Sequence, residues 1–174
     1  METVVNPSRR RLFRGKIAQE HVLRLPWVVS EAAFLSQCDQ CQDCISVCET
    51  QIITKDSQGF PKIDFSKDEC TFCNKCVDAC EKPMFVPEEE RQNNSTQPWP
   101  ARIDISNKCL ATNNIFCQSC QDVCETRAIK FHLLTSGVPK PELTLDNCTS
   151  CGACVSTCPQ DAIKFVDENE QVYA

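Results

Sequence analysis

The chain has 174 residues, of which 16 are cysteine, and a formal net charge of −6. So high a cysteine content indicates a disulfide scaffold, zinc sites or iron–sulfur clusters. The acidic balance argues against a nucleic-acid partner. With only four glycines and no phosphate-loop or dinucleotide fingerprint, the sequence offers no nucleotide site. We therefore expect a carrier or accessory protein and no enzymatic activity of its own.

The first 26 residues are basic: they hold six Lys or Arg and two acidic residues, a net charge of +4, which leaves −10 for the rest. The run from Ser8 to Arg14 resembles a twin-arginine export signal, but the apolar stretch that such a signal needs does not follow. No stretch is long and apolar enough to span a bilayer. We therefore expect a cytoplasmic protein with reduced thiols, which disfavours a disulfide scaffold.

Residues 1–29 are predicted to form a basic N-terminal arm. Three roles are open for this arm: it docks a client protein, it contacts an acidic membrane surface, or it is a solvated tail. Six cations are a modest cluster for either kind of docking.

The cysteines fall into four runs that repeat one spacing. The first, second and fourth runs read C-x2-C-x2-C-x3-C, and the third reads C-x7-C-x2-C-x3-C, with five extra residues after its first cysteine. The runs are Cys38, Cys41, Cys44 and Cys48; Cys70, Cys73, Cys76 and Cys80; Cys109, Cys117, Cys120 and Cys124; and Cys148, Cys151, Cys154 and Cys158.

The text between the runs repeats as well. Residues 48–53 match residues 124–129, and each segment is followed by a turn signal and then by a proline-led strand candidate, at 61–65 and 141–145. Both strand candidates alternate polar and apolar residues, as half-buried strands do. The first and second runs therefore form one unit, and the third and fourth form another.

This repeat predicts an α+β fold: two tandem bacterial-ferredoxin-like units with short helices, short hairpin strands and much loop, organised around four clusters. We place the first unit at residues 30–87, a polar, proline-bounded linker at 88–98 and the second unit at 99–174. Units this small need bound metal to stabilise them.

The spacing also predicts which cysteines share a cluster. In the bacterial run C-x2-C-x2-C-x3-C, three cysteines bind one [4Fe–4S] cluster and the fourth binds the other cluster of the pair. The predicted sets are Cys38, Cys41, Cys44 and Cys80; Cys70, Cys73, Cys76 and Cys48; Cys109, Cys117, Cys120 and Cys158; and Cys148, Cys151, Cys154 and Cys124. Zinc, the alternative, prefers two CxxC knuckles separated by a dozen or more residues.

Some details of the runs leave alternatives open. The long gap of the third run either forms a bulged loop, which we favour, or leaves one iron poorly held. Phe72 and Phe116, each beside a ligand, are interpreted as core that shields a cluster rather than as electron relays. Glu49, Glu81 and Glu125 each follow the last cysteine of a run and either lower cluster potentials or serve surface solubility.

The chain resembles the NapF-type ferredoxins encoded with periplasmic nitrate reductase, over nearly its whole length. The resemblance rests on the four runs with the long gap only in the third, and on the motifs Ser8-Arg9-Arg10, Gly15, Pro26-Trp27, Cys109-Leu110-Ala111, Cys120-Gln121-Asp122-Val123-Cys124-Glu125 and Cys148-Thr149-Ser150-Cys151-Gly152-Ala153-Cys154. It implies a cytoplasmic accessory protein with four [4Fe–4S] clusters. The implied partner is the cytoplasmic precursor of the nitrate reductase catalytic subunit, whose own cluster it would help to assemble or reduce before export.

Three functional hypotheses follow. The protein is a maturation factor for that subunit, an electron-transfer subunit that takes electrons from a redox donor protein and passes them to another oxidoreductase, or a redox or oxygen sensor with labile clusters.

Overall fold

The computed structural model describes residues 21–92, 97–132 and 137–173. The α-helices are α1 (Glu31–Gln37), α2 (Asp43–Ser46), α3 (Lys75–Asp78), α4 (Glu88–Arg91), α5 (Ser119–Asp122) and α6 (Ala153–Ser156), with a 3-10 turn at Leu145–Asn147. The strands are β1 (Ile53–Lys55), β2 (Pro61–Ile63), β3 (Arg102–Ile105), β4 (Ile129–Phe131), β5 (Pro141–Leu143) and β6 (Ile163–Val166). The prediction of short helices, short strands and much loop is confirmed.

The described residues form three two-stranded antiparallel sheets. Strand β1 pairs with β2, and β4 pairs with β5, so each unit has a hairpin after its first cysteine run. Strand β3 pairs with β6 across the second unit. The first unit has a single bridge, Val28 to Phe85, at the equivalent place. Among the described residues, no helix is long and apolar enough to cross a membrane.

The two units pack through aromatic rings. Phe65 stacks on Phe165 with ring centroids 4.8 Å apart and meets Trp99 edge-on at 5.5 Å. A β-carbon added to Gly152 would lie 2.1 Å from Phe65 Cδ1, so glycine is what lets the two units approach this closely. Beside this contact the backbone N–H of Cys70 donates to the carbonyl of Cys151 at 2.8 Å. The loops that carry ligands of different units therefore touch each other directly.

A buried arginine fixes the segment that leads into the first unit. Arg24 is only 8% exposed, and its guanidinium donates to Asp56 Oδ2 and to Glu31 Oε1, each at 2.8 Å. Burial alone would raise the pKa of Asp56, but hydrogen bonds from Arg24 and from two backbone N–H groups lower it. The Trp99 indole donates to the Arg24 carbonyl at 2.8 Å, which ties the segment to the second unit as well.

These contacts bear on the predicted arm. Leu23 and Leu25 are 4% and 2% exposed, so the stretch from residue 21 onward packs against the body of the protein. The remaining arm, residues 1–20, lies outside the described residues. The domain boundaries stay a prediction, and we propose to move the start of the first unit from residue 30 to residue 21.

Candidate metal centres

Each unit buries two thiols, and each buried thiol lies among three or four others. Cys44, in α2, is 8% exposed. Burial raises the pKa of its thiol to about 12, and repulsion from three neighbouring thiols adds to the effect. Those neighbours are Cys38, Cys41 and Cys80. We call these four thiols the first centre and number the other three groups in chain order of their buried thiols, Cys76, Cys120 and Cys154.

The buried thiol of α3 repeats this arrangement. Burial raises the pKa of Cys76 to about 12, with repulsion from surrounding thiols as the next cause. The surrounding thiols are Cys70, Cys73 and Cys48 of the second centre and Cys44 of the first. The first and second centres therefore influence each other within one unit.

The second unit has the same pair of centres. Burial raises the pKa of Cys120 to about 11, and the neighbouring thiols are Cys109, Cys117 and Cys158. Burial and repulsion also raise the pKa of Cys154, whose neighbours are Cys148, Cys151, Cys124 and Cys120. The four groups coincide with the four ligand sets expected from the spacing and so support that assignment, which stays a prediction.

The surroundings of the thiols suit a buried cofactor. One cavity is lined by all four cysteines of the first centre together with Leu25, Phe34 and Met84. Cys48, the last cysteine of the first run, does not line it. A second is lined by the four cysteines of the third centre with Ile105, Leu110 and other apolar residues. A third, of about 300 Å³, holds all four cysteines of the fourth centre and also Cys70 of the second. Four thiols that converge in an apolar cavity need a cationic group to keep them deprotonated there.

Three of the ligand loops have the backbone conformation of an anion-binding nest. The residue before each of α2, α3 and α6 is left-handed, with φ of 73° at Gln42, 59° at Asn74 and 88° at Gly152. A left-handed residue followed by a helical one turns successive N–H groups to the same side and forms a nest for an anionic group, as at many iron–sulfur sites. A [4Fe–4S] core with four thiolates is such an anion, so these loops fit it.

Backbone N–H groups also reach the sulfurs themselves. Ala128 N–H lies 3.2 Å from Cys124 Sγ, and Ala162 N–H lies 3.3 Å from Cys158 Sγ. Hydrogen bonds to ligand sulfur stabilise the thiolate and are one of the means by which a protein sets a cluster potential. Each donor is the fourth residue after the last cysteine of its run, the third run for Ala128 and the fourth run for Ala162. The two N–H groups therefore lie at equivalent positions of the repeat.

The long gap of the third run is an ordered loop. The Asn113 side-chain amide donates to the carbonyls of Asn107 and Cys109 at 2.7 and 2.9 Å. Ala111 is completely buried. The loop returns the chain so that Cys109 and Cys117 share one centre. This favours the bulged-loop interpretation over a poorly held iron. The run also lacks the left-handed residue before its helix, since Gln118 has φ of −136°.

The side chains beside the ligands have mixed outcomes. Phe72 packs against the core between Trp27 and Trp99, at ring-centroid distances of 6.5 and 5.9 Å, which supports its interpretation as core; its role in shielding a cluster stays a prediction. The same interpretation of Phe116 is wrong, because that ring is 70% exposed. It stands at the end of the extra loop and points away from the core.

The acidic residues after the runs are not equivalent. Glu49 forms an ion pair with Lys75, which neutralises its charge beside the second centre. This weakens the idea that Glu49 lowers a cluster potential. Near the first centre the basic neighbour of Glu81, Lys82, instead pairs with Asp39 at 2.8 Å.

The thiol groups do not have the form of a single-ion site. Among the residues described, no three His, Cys, Asp or Glu side chains are grouped to hold one metal ion. Zinc would draw four thiolates to about 3.8 Å from one another, given zinc–sulfur bonds of about 2.3 Å. A cubane cluster instead takes one thiolate at each of four separate irons.

Known proteins share this organisation. The chain matches the 4Fe-4S dicluster domain family twice, over residues 37–83 and 115–162. It is 44% identical to the ferredoxin-type protein NapF of Haemophilus influenzae, over 95% of this chain and 97% of that protein. It is 36% identical to NapF of Escherichia coli K12, over 91% of this chain and 94% of that protein. It is also 28% identical to a component of the ion-translocating oxidoreductase complex of Methanosarcina acetivorans, over 70% of this chain and 44% of that protein.

Two dicluster domains hold four [4Fe–4S] clusters, and 16 cysteines supply one thiolate for every iron. The cofactor prediction and the interpretation as an electron carrier or accessory protein rather than an enzyme are both confirmed by these relatives. The chain belongs to the NapF family of ferredoxin-type iron–sulfur proteins.

Proposed function

We propose that the protein is a cytoplasmic maturation accessory for the catalytic subunit of periplasmic nitrate reductase. It acts on the precursor of that subunit before export, by helping to assemble or reduce the subunit's cluster. The observation that carries the proposal is the arrangement of all 16 cysteines in four facing groups, in a chain 44% identical to a ferredoxin-type NapF. A chain built so fully around redox centres suits delivery of electrons or iron to a client.

We also propose that the ligands are the sets expected from the spacing. The last cysteine of each run then serves the neighbouring centre, so that each unit interlocks its two clusters. Bound clusters supply one-electron transfer. The chain's own residues orient the thiolates, exclude water through the apolar cavity walls and direct backbone N–H groups at the sulfurs.

The test of the maturation role uses the client's own cofactor as readout. The catalytic subunit is purified anaerobically from cells with the wild-type gene, with a deletion, and with Cys120→Ser or Val29→Ser. We expect the deletion and Cys120→Ser to yield subunit with less iron per molecule, and Val29→Ser to restore wild-type content, because Val29 is 60% exposed and binds no cluster. Full iron content in the deletion strain would refute a maturation role.

A second candidate is an electron-transfer subunit of another oxidoreductase, as the Methanosarcina relative suggests. The structure offers a reason to consider it: the direct contact of Cys70 with Cys151 joins the centres of the two units. In this case deletion would slow electron delivery to the oxidoreductase while the nitrate reductase subunit kept its full iron content. The two functions are thus separated by the same set of strains.

A further inference from the structure

The extra loop of the third run exposes two large apolar side chains. Phe116 is 70% exposed and its neighbour Ile115 is 54% exposed. Exposed apolar residues are common singly, but two adjacent ones on an insertion beside a redox centre need an explanation. Leaving them in water costs free energy that a binding partner would recover.

The exposure is imposed by the loop's own structure. The N–H of Ile115 donates to the carbonyl of Leu110 at 2.9 Å, and the N–H of Asn114 donates to the carbonyl of Ala111 at 3.1 Å. Together with the Asn113 side-chain bonds, these contacts close the loop on a buried alanine. Because the turn is fixed, Ile115 and Phe116 are held outward before any partner arrives, which reduces the ordering cost of binding.

The sequence around Ile115 and Phe116 contains no charged residue. Residues 109–121 contain no Asp, Glu, Lys or Arg, although the whole chain has a net charge of −6. The corresponding loop of the first run carries Asp39 and Asp43, and that of the second carries Lys75. A partner that met this loop would need an apolar surface rather than a basic one, and its association would depend little on salt.

The loop also lies against a redox centre. It begins after Cys109 and ends before Cys117, and both thiols belong to the third group. Phe116 is the residue next to Cys117, so a protein seated on this ring is adjacent to the third cluster. The third run is the one whose loop differs from the other three, which indicates a role the other centres do not share.

We propose that Ile115 and Phe116 form the docking surface for the catalytic subunit of periplasmic nitrate reductase, and that they insert into an apolar, uncharged pocket on that subunit. The inference rests on the proposed function and adds where the client binds. Two side chains bury too little area for a stable dimer of this chain, whereas a small contact suits the transient encounter of an accessory protein with its client.

The test compares Ile115→Ser/Phe116→Ser with the matched control Val29→Ser/Val172→Ser, whose side chains are 60% and 52% exposed. Binding of each holoprotein to the purified catalytic subunit is measured anaerobically at low and high salt. We expect the loop variant to lose about tenfold or more in affinity, the control to bind like wild type, and the wild-type affinity to change little with salt. Iron content should be the same in all three proteins.

A second measurement does not depend on weakened binding. The photoreactive substitution Phe116→p-benzoylphenylalanine should crosslink to the catalytic subunit, and the same substitution at Val29 should not. Equal binding by wild type and loop variant, or crosslinking only from position 29, would overturn the docking surface and leave the proposed function intact. Failure of wild type to bind the subunit would overturn both. A wild-type dimer that the loop variant loses would assign the surface to self-association instead.

Discussion

The contact of Gly152 with Phe65 gives a sharp test of how the two units are held together. Gly152 has φ of +88° and would place a β-carbon 2.1 Å from Phe65 Cδ1. Gly137 has almost the same φ, +94°, but none of the residues that the structure describes lies within 4 Å of its β-carbon position. Replacing each glycine by alanine therefore separates backbone strain from steric overlap. Both alanine variants have the backbone strain, and only Gly152→Ala also has the overlap.

The expected magnitudes follow from these distances. Left-handed backbone costs a non-glycine residue about 1–2 kcal/mol, which is the whole effect expected for Gly137→Ala. In Gly152→Ala the new carbon would be about 1.5 Å inside normal van der Waals contact. Phe65 is 5% exposed and stacked on Phe165, so it has little room to yield. Overpacking adds about 1–3 kcal/mol, for a total of about 2–5 kcal/mol.

The assay is guanidinium unfolding of anaerobic holoprotein, followed by the visible absorbance of the clusters and by tryptophan fluorescence. Gly152→Ala should lower the midpoint well below that of Gly137→Ala. In a Phe65→Ala background, which lacks the three ring atoms that overlap with the new carbon, Gly152→Ala should cost no more than Gly137→Ala. Equal midpoints for the two alanine variants would show that the units do not depend on this close approach.

Three further predictions concern ligands and charge. Cys117→Ser and Cys158→Ser should remove the same cluster, so the double variant should contain no less iron than either single variant. Cys158→Ser combined with Cys148→Ser should instead lose twice as much iron as either single variant. Additive iron loss in the first pair would refute the crosswise ligand sets. Asp56→Asn should destabilise the holoprotein by about 2–3 kcal/mol, somewhat less than the loss of a buried pair's sole partner. Glu31→Gln should destabilise it by under about 1 kcal/mol, because the Glu31 side chain is 41% exposed. Equal unfolding midpoints for the two variants would contradict this. The pKa of Asp56 is lowered in the folded state. The stabilisation that the Asp56 carboxylate gives should therefore be constant above its unfolded pKa of about 3.9 and disappear as the pH falls through the folded pKa. The unfolding midpoints of wild type and Asp56→Asn should converge in acid and not in neutral buffer.

The parts of the structure that the sequence could predict are those with a repeating pattern. Four cysteine runs and two copies of the hairpin text predicted the units, and the strands form at Pro61 and Pro141 as expected. The predicted ligand sets follow from the spacing rule alone. In each run a short helix begins just before the third cysteine and ends two residues before the last one. Period and spacing are local properties, so they are readable without the tertiary structure.

Contacts between distant segments were not predictable in this way. Arg24 counts as one of six cations in a basic segment, and only the fold shows that it is buried between two carboxylates. The left-handed residues of the ligand loops were equally hidden, since Gln42 has no intrinsic preference for that conformation. Phe116 was misjudged because adjacency to a ligand in sequence says nothing about which way an inserted loop turns.

The hydrogen bond between Cys70 and Cys151 has a consequence for how the protein acquires its iron. Because ligand loops of both units share this bond and the adjoining cavity, ordering one loop around its cluster pre-forms the other. Loading of the second and fourth clusters should therefore be cooperative: when iron is scarce, chains with only one of these two clusters would be rare. Native mass spectrometry of partially reconstituted Cys44→Ser/Cys120→Ser protein, in which the first and third centres each lack a ligand, would show this as chains with no cluster or with two and few with one.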